Sequence, residues 1–199
     1  MIHFLNSTHS LDRHKKNIKT AFNAAQKRAQ QQLNLDVGDV VFRDNPQYAI
    51  TELGVGGYTD ALNKIVYISV NSDQNASVKA IESCLDHEFF HLVRHQIVGI
   101  PLTLRDRIVD EGLACMYEYE QNKTIPIYAS TKPDEKYAHL IQEHLSDTHD
   151  TDKWFFGDQN IPKWLGYTLG FNLASNYKDL HHTSAVHMIS LNSSNLLTK

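Results

Sequence analysis

The run Ile81-Glu82-Ser83-Cys84-Leu85-Asp86-His87-Glu88-Phe89-Phe90-His91-Leu92 decides how this chain is read. Ile81, Leu85, Phe89 and Leu92 recur at helical spacing and proline is absent. The spacing predicts a helix from about Ser77 to Val98, stopped near Gly99 and Pro101. On a helix, residues four apart share a face. His87 and His91 can therefore bind one Zn2+ ion through their imidazoles. Glu88, one residue on from His87, stands at the edge of that face, in reach of water at the metal without being a ligand.

A catalytic zinc takes three protein ligands and keeps a fourth position open. Nineteen residues, 92–110, separate His91 from Glu111. That interval accommodates the end of the first helix, a turn at Gly99 and Pro101, and a return on an antiparallel helix from about Thr103 to Asn122. Glu111 is the expected third ligand, with Asp110 and Glu118 next in line. Gly112 and Ala114 are small enough for the two helices to approach closely around the metal. Two other readings stand beside this one. The first is a non-catalytic zinc-binding interaction or regulatory module; the second is a helical protein without metal. Glu88 favours catalysis, because a purely structural site needs no general base.

Upstream, Leu11 to Leu35 predicts a helix with Ser10 as N-cap and a stripe of Ile18, Phe22, Ala25, Ala29 and Leu33. Strands are expected at Val40–Phe42, Tyr48–Leu53 and Lys64–Val70, the last alternating and β-branched. Gly54–Gly57 reads as a flexible turn, without the spacing of a phosphate loop. Lys64–Val70 is also a candidate sheet edge that pairs with an extended peptide. Downstream, helices are expected from Pro133 to Ser146 and from about Pro162 to Leu180. Between them lies a polar loop, His149–Asn160. The fold class is α+β: a small mixed or antiparallel sheet followed by a helical region that carries the zinc site. A single domain of 199 residues is expected, with helix and sheet in 1–72, the zinc-site region in 76–180 and a polar tail in 181–199.

A formal net charge of −4 gives no reason to expect a nucleic-acid or anionic-membrane partner. No stretch approaches 18 apolar residues, so no membrane span is expected. Met1–Ser7 lacks the basic and apolar regions of a signal peptide. Cys84 and Cys115 are too few for a disulfide scaffold, and neither sits in a CxxC, which points to a reducing compartment, the cytoplasm.

The His-Glu-x-x-His pattern followed by Glu111 resembles the gluzincin metallopeptidases, the thermolysin-like group. An ordered set of segments is also similar to a bacterial family of predicted zinc-dependent proteases. The set is Gly56-Gly57-Tyr58-Thr59, His87 to His91, Glu111-Gly112-Leu113-Ala114, and Trp154-Phe155-Phe156-Gly157 with Ile161-Pro162, Gly166-Tyr167 and Gly170. The resemblance covers roughly residues 50–180. It implies a zincin-like fold, zinc-dependent hydrolysis of a peptide or protein substrate, ligands His87, His91 and Glu111, and Glu88 as general base. One position departs. The thermolysin-like group often places an aspartate four residues after the glutamate ligand, and here Cys115 stands there; Glu118, on the same helical face, is the candidate substitute. For the oxyanion, Tyr167 is the first candidate donor. Arg94, His95, His181, His182 and His187 follow. Cys84 is left out of the site, and Trp154 and Trp164 are assigned to core or pocket wall.

Overall fold

A computed structural model of the chain describes residues 1–35, 38–132 and 135–196. They divide into two compact units, Met1–Gln96 and Ile97–Lys199. The architecture is α+β, with a small mixed sheet and a mostly helical remainder.

The first unit contains β1 (Ile2–Leu5), β2 (Asp39–Asp44), β3 (Val55–Asp60) and β4 (Ile65–Val70), ordered β1-β2-β4-β3 across the sheet. The β1–β2 and β2–β4 pairs are parallel and β3–β4 is antiparallel. Side chains alternate between the faces of a strand. Val40, Phe42, Val66, Ile68 and Val70 are buried on one face. Val55, Gly57 and Thr59 of β3 are in register with Val70, Ile68 and Val66, which places them on that same face. On the other face the Arg43 guanidinium lies 5.5 Å from the Tyr48 ring centre and 5.6 Å from that of Tyr67.

Parallel neighbours require a crossover, and α1 (Lys15–Leu33) supplies it between β1 and β2. It buries Ile18, Phe22, Ala25, Ala29 and Leu33, the stripe its sequence predicts, and ends at Asn34 in the left-handed conformation that asparagine tolerates. Helix α2 (Val78–Val98) is capped by Ser77, whose Oγ accepts from the Ala80 N–H at 3.0 Å. The two helices are tied by Arg28. It donates to Asp86 from Nε at 3.2 Å and from Nη2 at 2.9 Å, and to Glu82 at 3.0 Å. Burial works against the charged guanidinium, yet the bonds and charges of Asp86 and Glu82 hold its pKa above the ordinary value.

The second unit is helical. Its elements are α3 (Leu104–Asn122), α4 (Glu135–His144), α5 (Lys153–Phe156), α6 (Leu165–His181), α7 (Ala185–Met188) and α8 (Ser193–Leu196). A capping box opens α3: Thr103 accepts from the Asp106 N–H, and the Asp106 carboxylate accepts from the Thr103 N–H. Helices α3 and α6 meet at two glycines. A Cβ on Gly112 would lie 2.2 Å from the Gly170 backbone, and one on Gly170 would lie 2.1 Å from the Ile108 carbonyl oxygen. Ile108, Ile141, Trp154, Phe155 and Leu165 form a shared apolar core.

Several expectations are corrected. Tyr48–Leu53 is not a strand: Pro46–Tyr48 forms a single 3-10 turn, since proline presets its first position, and only Ile50 bridges to Val55. Gly56 and Gly57 are not a flexible turn but lie within β3, where neighbouring atoms leave no room for a Cβ. Lys64–Val70 is not an edge: β4 has β2 on one side and β3 on the other, so the described edges are β1 and β3. Ser10 does not cap α1, because a 3-10 turn at Asp12–His14 intervenes. Strand β1 went unrecognised in a run too short to show alternation. The polar loop contains α5, with Trp154 and Phe155 buried, and the polar tail contains α7 and α8. Helix α6 begins at Leu165 rather than Pro162. The expected helix start at Pro133 lies outside the described residues. No described helix is long and apolar enough to cross a membrane.

Candidate metal centre

Helix α2 buries an unbroken run from Leu85 to Leu92, in which Asp86, His87, Glu88 and His91 are polar. Burying polar groups is costly unless each is partnered. Asp86 faces α1 and takes the Arg28 fork. His87 and His91 turn their rings toward each other, with centres 4.7 Å apart and Nε2 atoms 3.0 Å apart. Two nitrogen ligands on one tetrahedral zinc, each about 2.05 Å from it, lie roughly 3.3 Å apart. The histidine pair is thus spaced as two ligands of a single ion, and the donor set suits zinc. The His95 ring follows, 5.3 Å from that of His91.

Glu88 points toward the sheet. Its Oε2 stands 2.7 Å from Thr59 Oγ1, and the same hydroxyl is 3.0 Å from the Glu88 carbonyl oxygen. The side chain crosses β3 at Gly57, where a Cβ would come within 2.4 Å of Glu88 Cγ. The first unit therefore brings together His87, Glu88 and His91 with two residues that the sequence does not single out as site residues, Gly57 and Thr59. Their signal was present in Gly56-Gly57-Tyr58-Thr59, but only the strand register reveals that Gly57 and Thr59 share a face.

In the second unit, α3 carries a half-buried Glu111 beside a buried Asp110. Both residues, like His87, His91 and His95, offer donor atoms suited to a metal ion. Gly112 serves the contact with Gly170 of α6. Glu118 is buried rather than exposed and accepts a hydrogen bond from the Tyr128 hydroxyl. Cys115 is fully buried and Cys84 half-buried, and neither is in a disulfide. The Tyr167 ring packs against those of Tyr128 and Phe155, with centres 5.0 and 5.1 Å away. Among the other candidates, Arg94 is buried, His181 stacks on Tyr177, and His187 shares a hydrogen bond with Ser184.

A family model described as Predicted Zn-dependent protease (DUF2268) matches residues 14–198, nearly the whole chain. No curated protein and no solved structure matches.

Proposed function

The chain belongs to this family of predicted Zn-dependent proteases, and from that premise we propose that it hydrolyses peptide bonds in the manner of the gluzincins, with Glu88 as general base. His87 and His91 hold zinc, and Glu111 is the third ligand. The interval 92–110, which leaves room for a turn between two helices, supports Glu111. When bound, zinc polarises water and the scissile carbonyl.

The chain's own residues do the rest. Glu88 takes a proton from the attacking water and returns it to the leaving nitrogen. Tyr167 donates to the developing oxyanion. An extended peptide adds to the edge of β3 beyond the Ile50–Val55 bridge, where main-chain hydrogen bonds bind it with little demand on side chains. Thiols outside any disulfide at Cys84 and Cys115 suit a reducing compartment, the cytoplasm.

The observation that carries this reading is the α2 constellation: paired imidazole nitrogens 3.0 Å apart, next to a buried carboxylate that accepts from the Thr59 hydroxyl. The test is turnover of a peptide library by the parent and by Glu88→Gln, with zinc content measured in both. Gln keeps the size and removes the basicity. The expected result is a loss of about 100-fold to 10,000-fold at unchanged zinc content. Equal turnover would refute the general base, and a zinc-replete parent that cleaves no member of the library would favour a non-catalytic zinc module.

A further inference from the structure

We propose that Thr59 is a positioning residue for Glu88, and that Gly57 and Thr59 together form a cradle on β3 that sets the direction of the Glu88 carboxylate. The proposal rests on the reading of Glu88 as general base.

The first support is the hydrogen bond. Glu88 is 6% exposed, and a carboxylate so buried needs donors. Among the described residues its side chain takes one, from Thr59 at 2.7 Å on Oε2. The Thr59 hydroxyl has a single proton, and of its two acceptors the carboxylate oxygen is the nearer, so it is favoured. The second support is steric. A Cβ at residue 57 would stand 2.5 Å from Glu88 Oε1 and 2.7 Å from Cδ, so only glycine leaves the carboxylate where it is. The third is register. Gly57 and Thr59 are two residues apart, hence on one face of β3, and contact successive parts of the same side chain.

A glutamate has three soft torsions. With Oε2 tied to Thr59 and the chain laid across Gly57, those torsions are fixed, and Oε1 is left without a hydrogen bond from any described residue. That is the oxygen to which the water proton goes when the O–H bond breaks. Displacement of a catalytic group by about 1 Å costs on the order of 100-fold in rate. The cradle therefore acts on turnover rather than on zinc binding.

The test compares zinc-loaded parent, Thr59→Ser, Thr59→Val and Gly57→Ala. Crystal structures report the Glu88 carboxylate directly, and kcat and KM on a fluorogenic peptide library report its effect. Ser should leave the carboxylate in place and kcat within about threefold of the parent. Val keeps the shape and the β-branching of threonine but not the hydroxyl. It should free the carboxylate from its single position and lower kcat by about 10- to 100-fold, with KM and zinc content little changed. Ala at residue 57 should displace the carboxylate while the hydroxyl remains, which guards against a Thr59 variant that fails to fold. A carboxylate unmoved in Thr59→Val, or a Thr59→Ser enzyme as slow as Thr59→Val, would overturn the proposal. Failure of the general-base reading looks different: Glu88→Gln would match the parent in turnover while the carboxylate still shifted in Thr59→Val.

Discussion

Helices α2 and α3 are similar in length but bury different things. In α2 the buried residues include five polar groups, Asp86, His87, Glu88, His91 and Arg94, and Asp86 and Glu88 find partners on α1 and β3. In α3 the buried residues are mostly apolar, Asp110 and Glu118 apart, and at Gly112 and Gly170 the helix meets α6 backbone against backbone. Buried polar groups must be held by specific partners, whereas small residues let backbones pack directly. One helix thus concentrates groups whose value is chemical, and the other concentrates groups whose value is shape. Substitutions should therefore fail differently in the two.

The largest effect is expected on zinc. Replacing a second-layer partner of a metal ligand typically costs 10- to 100-fold in affinity, so His91→Ala should weaken zinc binding by at least about 100-fold while leaving the α3–α6 contact intact. Titration with a competing chelator measures it, alongside Glu111→Ala. Retained stoichiometric binding in His91→Ala would break the comparison at its centre; loss in both variants would give α3 a share in the metal chemistry. Next comes Gly112→Ala, which forces a methyl into the Gly170 backbone and should destabilise the protein by about 3 kcal/mol. Chemical unfolding checks this, with Gly112→Ala keeping zinc affinity wherever it remains folded. A fully stable variant would show that the glycines are not needed for shape.

Arg28→Met should cost about 2 kcal/mol, because it removes the fork from the fully buried Asp86. If unfolding midpoints of Arg28→Met and parent coincide, the polar run of α2 does not depend on α1. The smallest effect concerns Glu120, half-buried at the end of α3, where its carboxylate accepts from the Ala185 N–H. Burial raises its pKa above the ordinary carboxylate value, against the opposing bond from Ala185. A raised folded pKa favours the folded state at low pH, and that contribution is lost as pH rises through the folded value. Glu120→Gln should therefore raise stability at neutral pH by less than about 1 kcal/mol, given partial screening. The gain should vanish below the usual carboxylate range. A gain that is the same at pH 3 and pH 7 would assign it to something other than charge.

Much of this was legible in the chain because it depends on local periodicity. The stripe of α1, the alternation of β4 and the spacing of His87 and His91 are patterns of one segment, and each reads without its neighbours. Gly56 and Gly57 show where such reading ends. Two adjacent glycines signal a turn when only backbone freedom is weighed, but here Gly57 answers a requirement for space set by a helix some thirty residues later, and Gly56 one set by the Tyr48 carbonyl just upstream. Phe155 misleads in the opposite sense, since its polar surroundings read as loop while its side chain, like that of Trp154, which is assigned to core or pocket wall from the sequence, enters the core of the second unit. Thr59 stands out in the sequence only as part of Gly56-Gly57-Tyr58-Thr59, because a threonine on a strand needs no special reason until its partner is known.

The sheet's mixed pairing has a kinetic side. Asp60 meets Ile65 across a four-residue turn, so the β3–β4 hairpin closes from nearby residues. Ile2 must find Val40, and Val40 must find Val66, across an entire helix in one case and across β3 in the other. Distant closures carry the larger entropic barrier and slow folding. The hairpin that bears Gly57 and Thr59 can thus exist as a preformed template while β1 and β2 are still searching for their places, and assembly of the parallel half sets the pace at which the sheet is completed.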